Sequence, residues 1–186
     1  MLKNELGVLE DGMRDLPEGW IVLLETSPEK VLDVSLAAMK ILTDNNYSSI
    51  VLSASRPCSN LFSLYEKNKI DKGKIFILDC VCKTLDSSAA DNANIKHLEN
   101  ASVLTEMAIE LGKRMDSAKG KMFIFIDSIT TLLIHNKSDV LARFVHSILT
   151  KMRMKNVSCL LVSMEGETNR EVRAEIAQLC DKVINV

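Results

Sequence analysis

The sequence predicts an α/β fold on a mainly parallel sheet, and three observations carry that prediction. Short apolar, often β-branched runs alternate with longer segments of helical period. Most of these runs are apolar at every position, as strands covered by helices on both faces must be. The chain has 186 residues, 47% hydrophobic and 26% charged, which suits one core of ordinary domain size. A single domain over residues 1–186 is expected, with residues 1–18 as a peripheral N-terminal segment.

The first run is Trp20 to Leu24. After it Val31, Val34, Ala38 and Ile41 or Leu42 recur at spacings of three and four, which predicts a helix from about Pro28 to Asn45. A second run, Ser49 to Ala54, precedes a short helix over Asn60 to Lys67. The third, Ile75 to Leu78, leads into TLDSSAADNAN, Thr84 to Asn94, which has no apolar period and reads as a surface loop. A weaker run at Ile95 to Leu98 adds a candidate strand. Ser102 suits the N-cap of the next helix, whose stripe is Leu104, Met107, Ala108, Leu111 and Met115. The run Met122 to Ile126 follows, then a helix start at Ile129 to Ile134. A stripe of Val140, Leu141, Phe144, Val145, Ile148 and Met152 comes next. The strand Cys159 to Val162, a short helix through Val172, Ile176 and Leu179, and the strand Val183 to Val186 complete the alternation.

Composition narrows the function classes. Seven glycines and three prolines are few for this length, which excludes collagen-like, linker-rich and disordered chains. A net charge of −2 supplies no general attraction to nucleic acid or to an anionic membrane. The five cysteines are an odd number and the start MLKNELGVLEDG lacks the apolar run of a signal peptide, so a reduced, cytoplasmic protein is expected. No apolar stretch approaches the roughly 20 residues of a membrane span.

The most informative segment is Met122 to Ser128, an apolar run that ends in an acid, Asp127. A carboxylate at such a strand tip can hold Mg²⁺ beside a bound nucleotide, or it can simply cap the next helix. The turn after the first strand decides between them, because a phosphate cradle needs G-x-x-x-x-G-K-[ST] there. This chain reads Glu25-Thr26-Ser27-Pro28-Glu29-Lys30-Val31-Leu32, with no glycine between Gly19 and Gly73. The left-handed backbone conformations that glycine makes cheap are costly in such a turn. Ser27 as N-cap with Pro28 at the first helical position would use up the N–H groups a phosphate needs, and Glu25 and Glu29 add charge of the wrong sign. Lys30 is the remnant of phosphate-binding chemistry.

At this point the chain resembles the archaeal KaiC-like branch of the RecA superfamily, in particular members with a degenerate Walker A motif. The matching stretches are SSIVLSASRPCSNLFSLYEKNKID, KIFILDCVCKT, LENASVLTEM, FIFIDSITTLLIHNKSDVLARFVHSILTKMR and VSCLLVSMEGE, covering roughly residues 18 to 186. The resemblance implies a three-layer α/β/α RecA-like domain of the P-loop NTPase type, whose active relatives bind ATP at subunit boundaries in oligomers. It also implies that, where a nucleotide binds, Ser27, Lys30, Asp127 and Ser128 would hold it, with Asp127 supporting Mg²⁺. The turn after the second strand, Ser53-Ala54-Ser55-Arg56-Pro57-Cys58-Ser59-Asn60, lacks the water-activating glutamate of RecA-type ATPases and offers Arg56 instead.

Three other signals are weak. Asn68-Lys69-Ile70-Asp71 matches a guanine-specificity motif in letters but not in context. Cys80 and Cys82 form C-x-C, yet a zinc site needs a second ligand pair and His97, His135 and His146 are scattered, so buried strand-end residues are the better account. The cations Lys137, Arg143, His146, Lys151, Arg153 and Lys155 read as a solvated helix face rather than a nucleic-acid groove.

The reading that results is a non-hydrolytic regulatory or scaffold protein that self-associates or binds a protein partner. No cofactor, nucleic acid or membrane is expected. One alternative is an ATP-binding protein or weak ATPase that takes Mg-ATP with an atypical loop. A weaker one is a DNA-associated recombinase paralogue.

Overall fold

The computed structural model describes residues 2–117, 119–164 and 170–186. Seven strands alternate with helices: α1 (Leu2–Met13), β1 (Ile21–Thr26), α2 (Val31–Asp44), β2 (Ser48–Ser53), α3 (Cys58–Lys67), β3 (Ile75–Asp79), α4 (Cys82–Leu85) and β4 (Ile95–His97) form the first part. Then come α5 (Leu104–Ser117), β5 (Met122–Asp127), α6 (Ile129–His135), α7 (Ser138–Met154), β6 (Ser158–Met164), α8 (Arg170–Gln178) and β7 (Lys182–Asn185). The strands form one sheet in the order β4-β3-β2-β5-β6-β1-β7. All six pairings are parallel. No helix among the described residues is long and apolar enough to cross a membrane.

Strand alternation divides the core into two layers. In β5, Met122, Ile124 and Ile126 face the layer built from α5, α6, α7 and α8. Phe123 and Phe125 face the opposite layer, built from α1, α2 and α3. The same alternation turns the last residue of each strand toward one layer or the other, and this determines where the polar tips of β2, β3, β4 and β5 meet. Covered on both sides, the central strands have no room for polar positions except at their ends.

The strands lie where the apolar runs predict, within one or two residues. The first long helix differs: it starts at Val31, three residues after Pro28. The carbonyl of Ser27 accepts from both Lys30 N–H and Val31 N–H, at 3.1 Å each, so residues 27–30 close a tight turn and Lys30 occupies the N-cap without a side-chain cap bond. Ser27 is therefore not the helix cap. The segment before residue 18 contains α1, whose Leu9 is buried against the α2 layer. A Cβ at Gly12 would meet Ile184 Cδ1 at 2.7 Å, so glycine allows α1 to approach β7 this closely. The sequence pattern also missed α4, a single turn at the start of the polar loop. Gly166 and the residues 165–167 that end the stretch VSCLLVSMEGE lie outside the described residues.

Candidate functional site

Ligands of open parallel sheets meet the C-terminal ends of the strands, and the residues predicted from sequence all stand at that edge. The β1–α2 turn is held by its own contacts. Glu25 is buried and its Oε1 pairs with Arg173 Nε on α8 at 2.8 Å. Glu29 is exposed, and bonds from its backbone N–H and the Ser27 hydroxyl hold its carboxyl below the ordinary range. Thr26 Oγ1 is buried with no partner among the described residues.

Asp127 sits at the tip of β5 on the α2–α3 side. It lines a cavity of about 20 Å³ together with Leu36, Leu61, Tyr65, Phe125, Ser35 and Arg56. That volume holds about one water molecule. Ser55 Oγ donates to Asp127 Oδ2 at 3.1 Å. Asp127 is half-buried, and desolvation pushes its carboxyl pKa up against the opposing pull of Ser55 and Arg56. The charge of Asp127 adds to burial in raising the Tyr65 phenol. The Asp127–Ser128 peptide is cis. The helix cap is Ser128, not Asp127: its Oγ accepts from Thr131 N–H at 3.2 Å. Ser27 and Lys30 do not line the Asp127 cavity.

The raised carboxyl makes a direct prediction. A carboxylic acid whose pKa is higher in the fold than in the unfolded chain stabilises below the unfolded value near 4 and loses that contribution as pH rises through the folded value. Asp127→Asn keeps an acceptor for Ser55 and removes the ionisation. Denaturant titration at neutral pH is expected to show a gain on the order of 1 kcal/mol that fades below pH 4.

A second polar group was not legible as a site. Cys80 packs into the α5–α8 layer, whereas the chain leaves β3 after Asp79 and Cys82, the first residue of α4, turns to the α3 side, so C-x-C is not a ligand pair. Cys82 instead faces Cys58, with 4.0 Å between the sulfurs. Asp79 and His97, neighbours in the β3–β4 register, complete the group. His97 is thus not isolated, as its place in the sequence suggested. The missing signal was the sheet order, which makes β2, β3 and β4 neighbours.

The comparisons agree with this architecture. The family model described as a family of unknown function (DUF7504) matches residues 23–186. No curated protein matches the chain. Among solved structures, the KaiC-like protein PH0186 from Pyrococcus horikoshii OT3 is 12% identical, with a TM-score of 0.61 over 91% of this chain and 72% of that one. The uncharacterized protein PH0321 from Pyrococcus horikoshii, in complex with an unknown peptide, is 11% identical, with a TM-score of 0.74 over 97% of this chain and 82% of that one. The flagellar accessory protein FlaH from Methanocaldococcus jannaschii is 13% identical, with a TM-score of 0.61 over 99% and 75%. At these identities the likeness is one of fold, and it places the chain on the RecA-like α/β scaffold of the KaiC-like proteins. With 164 consecutive residues matched, the chain belongs to the DUF7504 family.

Proposed function

We propose that this chain is a non-hydrolytic RecA/KaiC-like protein that works by binding a protein partner or another copy of itself. The observation that carries the reading is the environment of Asp127. A carboxylate that supports Mg²⁺ needs room for the hydrated ion beside it, whereas the cavity that Asp127 borders has room for about one water.

The β1–α2 turn supports the same reading. It has no glycine, it carries Glu25 and Glu29, and both its Lys30 and Val31 N–H groups are committed to the Ser27 carbonyl. These residues do not fit Mg-ATP. Toward binding, Leu85 and Ile134 stand 79% and 75% exposed on the helices that follow β3 and β5. PH0321, solved with an unknown peptide, provides one similar fold that holds a polypeptide.

Thermal unfolding with and without millimolar Mg-ATP, beside a turnover assay and light scattering, tests the proposal. The expected result is no saturable rise in melting temperature, no turnover, and a mass above the 20.7 kDa of one chain that depends on concentration or on an added partner. A saturable rise with turnover abolished by Asp127→Ala would overturn it.

A further inference from the structure

We propose that Cys58, Asp79, Cys82 and His97 form a zinc site that ties together the C-terminal ends of β2, β3 and β4. One donor atom from each residue lies within 4.8 Å of every other. The group shares no residue with the Asp127 cavity, so it stands or fails independently of how that cavity functions.

The fold assembles these four donors from separate places. Asp79 ends β3 and His97 ends β4, directly opposite each other in the parallel register. Both point to the α3 side. Cys58 is the first residue of α3, and Cys82 the first of α4. Asp79 is fully buried, His97 is 4% exposed and Cys58 is 8% exposed, while Cys82 sits at the rim. Such burial of a thiol, an imidazole and a carboxylate together, with a second thiol at the rim, is unusual for groups with no shared task.

Each donor is already aimed. The sulfurs of Cys58 and Cys82 are 4.0 Å apart. A zinc about 2.3 Å from each sulfur at a tetrahedral angle would set them about 3.8 Å apart. His97 Nδ1 lies 3.9 Å from Asp79 Oδ2, too long for a hydrogen bond, and has no partner among the described residues. A buried imidazole nitrogen without a partner is costly, and a metal at the centre of the cluster would satisfy it.

Asp79 is positioned from behind, as outer-shell bonds position a metal ligand. Its Oδ1 accepts from Val81 N–H at 2.7 Å and Cys82 N–H at 2.8 Å. Its Oδ2 accepts from Cys58 N–H at 2.6 Å, and the Cys58 and Cys82 thiols also bond to this carboxylate, contacts that a metal would replace as the thiols give up their protons. Two sulfurs, one nitrogen and one oxygen make a closed four-donor set of the kind that selects zinc and serves structure rather than catalysis. The element it would tether is the three-residue edge strand β4 with the polar loop before it.

The test uses the full chain purified under reducing conditions. Elemental analysis is expected to find one zinc per chain. After chelation, added Co²⁺ is expected to give the intense near-ultraviolet absorption of thiolate-to-cobalt charge transfer, which two sulfur ligands require. Zinc is expected to raise the melting temperature by roughly 5–10 °C, the shift that ligand at about 100 times its Kd gives a chain of this size. Cys58→Ser and Cys82→Ser should each lose the metal and the shift, and Cys180→Ser should keep both. The cobalt spectrum of the unmodified chain needs no variant to fold. Absence of that absorption, a zinc content unchanged in both serine variants, or a Cys58–Cys82 disulfide that persists in reductant would each overturn the proposal.

Discussion

Phe123→Ala is expected to destabilise the fold by about 4 kcal/mol, in the range of 3–5 kcal/mol found for large aromatic truncations in cores. Phe123 is fully buried in β5. Its ring stacks on Trp20 at 6.4 Å between centroids and meets Tyr47 edge-on at 6.2 Å. Trp20 and Tyr47 are themselves 6.3 Å apart, so the three rings form a closed cluster before β1, before β2 and within β5. Truncation would remove both of Phe123's ring contacts at once, each worth about 0.5–1.5 kcal/mol beyond area burial, and leave a void that the rigid sheet cannot close. For a chain of this length the melting temperature should fall by about 8–16 °C. Phe123→Leu should cost markedly less, and Met154→Ala, at a residue 84% exposed, should stay within about 0.5 kcal/mol. A small effect at Phe123 would mean that the cluster does not hold these strands.

The strands were legible because a strand buried on both faces has to be a continuous apolar run, as Ile21–Leu24 and Met122–Ile126 are. The long helices were legible for a similar reason, since α5 and α7 each bury one stripe. Periodicity carries no information about which strands are neighbours, and the candidate metal cluster depends on that. Cys58, Asp79, Cys82 and His97 are spread over 40 residues of sequence and resemble no spaced motif until β2, β3 and β4 lie side by side. Alternation alone would put Cys80 and Cys82, two residues apart, on one face; they part because β3 ends at Asp79 and Cys82 opens α4, a break that the C-x-C spacing does not reveal. At the β1–α2 turn the absence of glycine was visible in the sequence. That Lys30 and Val31 would share the Ser27 carbonyl was not, because several turn geometries suit ETSPEK equally well.

Asp79→Ala is expected to cost about 3–4 kcal/mol even in metal-free protein, because it would leave three backbone N–H groups unpaired. Those of Cys58, Val81 and Cys82 all end on this carboxylate. Orphaning a buried donor costs about 1–3 kcal/mol, and water can reach the two near the rim more readily than the one at Cys58. Asp79→Asn should be nearly as damaging, since its amide replaces one acceptor oxygen with a donor that faces other donors. Burial pushes the Asp79 carboxyl up, but bonds from the Cys82 N–H and thiol, with those from Val81 and Cys58, more than offset it and leave its pKa below the ordinary value. The stability it supplies is therefore present above the unfolded value near 4 and is lost as pH falls through the folded value. In chelator, the difference in unfolding free energy between wild type and Asp79→Ala should be constant from pH 5 to 7 and shrink below pH 4. A loss seen only when zinc is present would assign Asp79 to the metal alone. A loss in both conditions, larger with zinc, is what a carboxylate that first organises the β3–α4 turn and then serves as a ligand should show.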